Sequence, residues 1–201
     1  MVEMLVVVAM VGIIAMVGIP TMQRLLSRIK IENVARETAN LMNKARFEAV
    51  KQGVPVVVMV DPTAGEVFSF VDVHGGLDQT TPPDGLFAAI GGATPRTTDY
   101  PLGRITLPPG VEFEFQALTG LDSVDGFVNR GNPDPPDDIA IFTSEGGVLD
   151  EGAFRFADRR GNYLEARVDP RGTARVAVRM YDDVDAAWYA FGEGDKPWKW
   201  K

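Results

Sequence analysis

The sequence predicts an α+β fold, in which one long N-terminal α-helix packs on an antiparallel, β-rich head. Three observations predict this class. Residues 4–19 are all apolar. Residues 23–52 carry apolar side chains at steps of three and four, the spacing of an amphipathic helix. From residue 53 onwards, short β-branched runs alternate with turns rich in Gly, Pro and Asp, as in antiparallel strands. We therefore divide the chain into helical segments at 1–22 and 23–52 and a head at 53–201.

The first segment, MVEMLVVVAMVGIIAMVGIP, is apolar all round, which favours a helix in lipid. At 1.5 Å per residue, residues 4–19 cover roughly 24 Å, and with flanking residues such a helix can span a hydrocarbon core of ~30 Å. One alternative is a buried core helix. Another is a secretory signal peptide, which requires a positively charged start and a small-residue cleavage site. We predict a transmembrane helix over residues 1–22.

The second segment continues the helix past Pro20. Its apolar stripe, which we interpret as the face that packs on a sheet, consists of Ile31, Val34, Ala35, Leu41, Met42, Ala45 and Ala49. Gly53 and Pro55 end the helix, with Lys51 in its last turn. Gly18 and Pro20 lie in the middle of the helix and predict a kink or a loosening there.

The head is predicted to consist of short strands. The candidates lie at 54–60, 67–73, 105–107, 111–115, 139–142, 153–157, 163–168 and 174–181. Residues 61–65 form a turn between the first two strands, which predicts a β-hairpin.

The formal net charge of −8 is unevenly distributed. Residues 1–20 carry −1, residues 21–52 carry +4 (seven basic, three acidic) and residues 53–201 carry −11 (thirteen basic, twenty-four acidic). The acidic head argues against broad nucleic-acid binding, which depends on neutralising phosphates. The chain has no cysteine, a single histidine (His74), and no phosphate-binding loop or zinc-protease motif. We therefore predict neither an enzyme nor a cofactor.

Glu3 is the one charged residue of the first segment, either solvated at the interface or paired with a cation. Glu3 and its apolar run, with Gly12, Gly18 and Pro20, resemble the N-terminal segment of type IV pilins and of the pseudopilins of type II secretion. The resemblance implies that Gly12, Gly18 and Pro20 loosen the helix. It also implies that Glu3 pairs with the methylated N-terminal amine of a neighbouring subunit, which offsets two desolvation costs and sets the subunit register.

Members of that family are cleaved after a short basic leader that ends in Gly. This sequence lacks the leader and the two residues that would precede Met1, so we expect a start codon assigned too late. As written, the basic residues that follow the span would hold the head in the cytoplasm, whereas a basic leader would send it outward. The resemblance implies a single-pass protein of the bacterial inner membrane, with its head in the periplasm or outside, that assembles into a pilus or pseudopilus.

Pieces of the head resemble the GspH/FimT family of minor pilins. Residues 40–50 and 53–56 resemble its "L-x-x-A-R-x-E-A-I…x-V-x-V" segment, and residues 141–146 resemble its "I-x-F-x-x-x-G" piece. Residues 160–162 with 168–176 resemble its closing "V-x-x-x-G-R-V" hairpin, although Thr173 and Ala174 replace the Arg after Gly172. The resemblance implies a structural minor subunit of an initiating or tip complex. Its partners would be other pilin-like subunits, bound through the N-terminal helix, the inner membrane and the assembly machinery. The alternatives are a DNA-binding minor pilin and a membrane-anchored protein that does not polymerise.

An acidic run contains Asp134, Asp137 and Asp138. Carboxylate oxygens suit Ca²⁺, and some pseudopilins bind it in a loop, but the spacing does not match an EF-hand. We interpret the run as a solvated loop, with a calcium site as the alternative.

The C-terminal tail alternates basic and aromatic side chains: Lys196, Trp198, Lys199, Trp200 and Lys201. We interpret it as an arm whose tryptophans pack on the head while its lysines face water. One alternative is stacking on single-stranded nucleic acid, since some FimT-like relatives bind DNA through basic C-terminal residues. Another is docking on the acidic surface of a neighbouring subunit.

Overall fold

The computed structural model describes residues 2–62, 64–72, 100–113, 124–125, 127, 139–193 and 197–201. Within these ranges, the side chains at 2, 3, 5, 6, 9, 13–15, 17–21, 124 and 125 are left out of the description. One helix, α1 (Val2–Gln52), precedes all the strands. They are β1 (Val56–Asp61), β2 (Glu66–Val71), β3 (Tyr100–Thr106), β4 (Val111–Phe113), β5 (Val124–Asp125), β6 (Ile139–Phe142), β7 (Gly152–Asp158), β8 (Tyr163–Val168), β9 (Val176–Asp182) and β10 (Ala187–Ala190).

α1 is a single helix of 51 residues, about 75 Å long, and its assignment continues through Gly18 and Pro20. It ends where the sequence predicts. Gly53 adopts a left-handed conformation (φ 69°), which glycine reaches without steric cost, and its N–H donates to the carbonyl of Ala49 at 3.0 Å.

The described strands form two antiparallel sheets. The first sheet has the order β3-β2-β1-β6. The second has the order β10-β9-β8-β7-β4, with β5 also paired to β7. The predicted α+β class, with a long N-terminal helix and antiparallel sheets, is therefore confirmed.

The main core lies between α1 and the two sheets. The helix contributes small buried side chains, including Ala35, Ala45 and Ala49, which let it approach the strands closely. The second sheet contributes Phe154, Phe156 and Leu164 among others. The other face of the first sheet carries a separate buried cluster of Val57, Met59, Phe70, Ile139 and Ile141. The buried face of residues 31–49 confirms the predicted packing of the amphipathic stripe on sheets.

Several strand predictions differ from the structure. β10 and β5 were not predicted, and β3 begins five residues before the predicted strand at 105. The early part of β3 contains Pro101 and Gly103, which break the strand pattern, but β3 is the edge strand of its sheet and tolerates a proline. In the part of the chain that the structure describes, no helix has the length and apolarity that crossing a membrane requires. The transmembrane assignment of residues 1–22 stays a prediction from the sequence.

Candidate assembly surface and the base of the head

α1 has two parts with different surroundings. From Ile31 onwards one face is buried in the head, whereas every large apolar side chain described before it is exposed, including Met4 (75%) and Met16 (79%). The first 29 helical residues therefore extend about 43 Å before the main core begins. Such a length of exposed apolar surface is a feature of interaction sites with proteins or lipid.

An apolar stripe continues along α1 as far as the base of the head. It consists of Met22, Leu25, Leu26 and Ile29, which follow the helical spacing i, i+3, i+4, i+7 and are 43 to 63% exposed. Met22 and the buried Ile31 are nine residues apart, or half a turn out of phase at 100° per residue. The apolar stripe thus faces mainly away from the head, although Leu26 at its border also lines a cavity at the base of the head. Further along α1, exposed polar residues take its place on the same face, among them Asn33, Asn40 and Asn43, although Phe47 on this face is also exposed.

The predicted assembly residues all lie in the projecting part of α1. The helix includes Glu3, Gly12, Gly18 and Pro20, but the side chains of Glu3 and Pro20 are left out of the description. Gly12 is exposed, and a Cβ atom added to it would meet nothing within 4 Å. Packing within this chain therefore gives no reason for a glycine at position 12. The roles predicted for the four residues stay predictions.

The base of the head is joined to α1 by Asp158. Ser27 donates a hydrogen bond of 2.9 Å to Oδ2 of Asp158. The same carboxylate accepts from the backbone N–H groups of Arg160 (2.8 Å) and Asn162 (3.0 Å) and from Nδ2 of Asn162 (2.9 Å). Asp158 is buried, so these four donors replace the water that a carboxylate needs. They fix the turn between β7 and β8 against the helix.

A cavity of about 520 Å³ lies beside this hydrogen bond, between α1 and the turns at the base of the head. Its lining includes Gln23, Lys30, Pro109, Arg159 and Arg160. Lys30 donates to the carbonyl of Pro109 at 3.2 Å. The sequence does not predict this group, because its members come from three segments that lie about 50 to 140 residues apart and meet only through the fold.

The described residues of the C-terminal tail fold onto the head. Trp198 and Trp200 are partly buried against the main core, and Trp198 Nε1 donates to the carbonyl of Tyr189 at 3.1 Å. Lys199 contacts Asp182 at 2.9 Å, and Lys201 forms an ion pair with Asp183. The arrangement agrees with the interpretation of an arm packed through its tryptophans. Lys196 lies outside the described residues, and the proposed DNA or partner contact stays a prediction.

Trp200 also links the arm to α1. The guanidinium carbon of Arg28 lies 4.7 Å from the centroid of the Trp200 ring, within the range of a cation–π contact. The backbone N–H of Lys201 donates to Oδ1 of Asn162 at 2.8 Å. The helix, the β7–β8 turn and the arm thus meet at the base of the head.

The candidate calcium ligands Asp134, Asp137 and Asp138 lie outside the described residues, as does His74. Among the residues that are described, no three acidic or histidine side chains come together as a metal site would require.

A buried charge cluster on the second sheet was missed by the sequence analysis. Glu165 is fully buried between Arg155 (3.3 Å) and Arg167 (4.0 Å), and Arg179 is its cross-strand neighbour. Burial raises the pKa of the Glu165 carboxyl, although the arginines, Arg155 foremost, oppose the shift. The sequence does show charged residues inside two strands that are otherwise apolar and buried. Which of these residues face each other depends on the strand register, which the sequence alone does not give.

Comparison with known proteins gives one structural likeness. No family model matches the chain, and no curated protein matches its sequence. The minor pseudopilin EpsH from the type 2 secretion system of Vibrio cholerae is similar in structure, with a TM-score of 0.43 and 11% sequence identity over 75% of this chain and 95% of that chain.

Proposed function

We propose that this chain is a pilin-like subunit that assembles through its N-terminal helix into a type II secretion pseudopilus or a type IV pilus, as a minor subunit of the initiating or tip complex. The observation that carries the proposal is the division of α1. One continuous helix is buried in the head over residues 31–49 and exposes apolar side chains over residues 4–29.

The exposed apolar part of α1 must be covered by lipid or by another protein surface. Burying one leucine-sized side chain contributes about 1.5–3 kcal/mol, so a helix that exposes many of them is strongly driven into lipid or against other helices. In the proposed function the helix occupies both environments in turn. It lies in the inner membrane before assembly and in a bundle of helices from neighbouring subunits afterwards. The apolar stripe faces mainly away from the head and leaves a neighbouring helix room to pack.

Glu3 supplies the register in this proposal. Its carboxylate pairs with the N-terminal amine of a neighbour, and each group replaces the water that the other lacks. A membrane-anchored protein that does not polymerise would tolerate Glu3→Ala, whereas a filament subunit loses incorporation. Comparing the amounts of the native chain and of the Glu3→Ala variant in isolated filaments therefore separates these two functions.

The experiment that tests the proposal introduces one charge on the apolar stripe. Leu25 is 55% exposed, so Leu25→Asp leaves the main core intact. The matched control is Asn43→Asp, because Asn43 is exposed and lies 18 residues, or five helical turns, further along the same side of α1. We expect Leu25→Asp to reduce incorporation about tenfold or more, and the control to incorporate normally.

The measurement is the amount of each variant in filaments sheared from cells, normalised to total subunit. Thermal unfolding of the purified full chains shows whether each variant folds. Normal incorporation of Leu25→Asp would refute the proposed helix packing.

A further inference from the structure

We propose that the cavity at the base of the head binds the phosphodiester headgroup of an anionic phospholipid. The inference goes beyond assembly, but it rests on the proposed function in one respect, since that function places the apolar part of α1 in a membrane. Three cations line the cavity: Lys30 from the helix, and Arg159 and Arg160 from the β7–β8 turn.

The backbone of the turn that carries the two arginines is fixed, and no acid among the described residues forms an ion pair with them. Asp158 fixes the backbone of their turn, since one of its oxygens accepts the N–H of Arg160. The side chains of Arg159 and Arg160 are exposed and form no ion pair with any residue that the structure describes. Arginine presents several N–H donors in a planar fork that matches phosphate oxygens, so two neighbouring arginines without an ion-pair partner among the described residues are suited to a phosphate ligand.

Asp158 is the acid of the same turn, and its single negative charge only partly offsets the three cations. Asp158 is buried and its two oxygens already accept four hydrogen bonds. Lys30 uses one of its three hydrogens on the carbonyl of Pro109, which leaves two for a ligand. Gln23 adds an uncharged amide to the lining. The three cations and one acid give a local formal charge of +2 on a head that is otherwise strongly acidic.

The position of the cavity along α1 favours a lipid as the source of the phosphate. A hydrocarbon core of ~30 Å takes about 20 residues, so a span that begins near Met4 ends near Arg24. Lys30 then lies about 9 Å beyond the end of the span, at the depth of the headgroups. The acidic remainder of the head is repelled by an anionic surface, so this cavity is the part of the head best suited to face it.

The test uses the purified full chain in a non-ionic detergent. Four probes are titrated by calorimetry: short-chain phosphatidylglycerol, short-chain phosphatidylcholine, inorganic phosphate and a single-stranded DNA oligonucleotide. The test variant is Arg159→Gln/Arg160→Gln. The matched control is Arg171→Gln/Arg175→Gln, which removes two exposed arginines from the β8–β9 connection at the opposite end of β8.

We expect phosphatidylglycerol to bind more tightly than the other three probes. A basic residue near an anionic lipid surface contributes a factor of about five in binding, so the test variant should bind roughly 25-fold more weakly and the control nearly normally. Equal binding of phosphatidylglycerol and phosphatidylcholine, or equal losses in both variants, would overturn the proposal. Tighter binding of inorganic phosphate or of the oligonucleotide through the same arginines would overturn the assignment to lipid.

The outcome is separable from the proposed function. A chain that enters filaments but fails the titration loses only the headgroup site. A chain that passes the titration but never enters filaments refutes the assembly role and leaves a lipid-binding membrane protein.

Discussion

Ser27 donates a hydrogen bond of 2.9 Å to Asp158, which joins α1 to a turn 131 residues further along the chain. The contact lies where the exposed part of the helix meets the head. Because Asp158 also orders the β7–β8 turn, one carboxylate ties the base of α1 to the turn that carries Arg159 and Arg160.

The Ser27–Asp158 contact should be measurable as a coupling energy. A hydrogen bond to a charged group contributes about 1.5–3 kcal/mol, so Ser27→Ala should lower the free energy of unfolding by about 1.5 kcal/mol. Asp158→Ala leaves several donors without a partner and should cost about 3 kcal/mol. The measurement is urea unfolding of the two single variants and the double variant.

A double-mutant cycle should give a coupling of about 1 kcal/mol between Ser27 and Asp158. Ser144→Ala is the control, since Ser144 is exposed in a turn and its loss should change stability by less than about 0.5 kcal/mol. Strictly additive effects of Ser27→Ala and Asp158→Ala would show that the contact does not hold the helix to the head.

Glu165 should make the stability of the head depend on pH. Its pKa in the folded chain is raised by burial, so the folded state binds a proton more readily than the unfolded state does. This preferential protonation stabilises the folded state fully below the ordinary glutamate pKa of about 4.3. The stabilisation is lost as the pH rises through the pKa that Glu165 has in the folded chain. Glu165→Gln does not titrate, so its stability relative to the native chain should increase with pH across this window.

Glu48→Gln is the control, because the pKa of Glu48 is shifted in the opposite direction to that of Glu165. The hydrogen bond from Gln52, followed by that from Lys51, lowers the pKa of Glu48, so its contribution is present above the unfolded pKa and is lost as the pH falls through the folded value. The measurement is the free energy of unfolding of each variant from pH 2 to pH 7, a range that extends below the ordinary glutamate pKa and so includes the window of Glu48. A difference between Glu165→Gln and the native chain that stays constant with pH would contradict the raised pKa.

The C-terminal arm should stabilise the head rather than bind DNA. Removal of residues 196–201 takes two partly buried tryptophans from the core and should cost about 2–3 kcal/mol. Lys199→Gln/Lys201→Gln keeps the tryptophans and removes two exposed ion pairs, which together should contribute about 1 kcal/mol or less. The measurement is thermal unfolding, with DNA retention at low and moderate salt measured in parallel.

Either outcome of the retention measurement is informative. Unchanged retention in the truncated chain rules out the DNA-binding role of the tail. A loss of retention in both the truncated chain and the double lysine variant would support that role instead.

The helix and most strands could be predicted because their signals are local. The steps of three and four in α1, the stop at Gly53 and the β-branched run of β1 are each read within one segment. β10 was missed because the turn before it reaches a positive φ at Ala186, where no glycine or asparagine marks a hairpin. The base of the head could not be predicted, since it depends on a hairpin bringing Asp158 to Ser27.

Gly12 gives the last prediction, because no described part of this chain packs against it. A Cβ atom there meets nothing within 4 Å, so Gly12→Ala and Gly12→Leu should leave the purified chain folded, with helicity equal to or above the native value. If α1 packs against neighbouring helices through Gly12, a leucine holds the helices apart, so Gly12→Leu should lose incorporation while Gly12→Ala keeps most of it.

Val11→Leu enlarges the adjacent exposed residue and serves as the control. The measurements are circular dichroism of the purified chains and recovery in sheared filaments. Normal incorporation of Gly12→Leu would show that no close helix contact forms at this position.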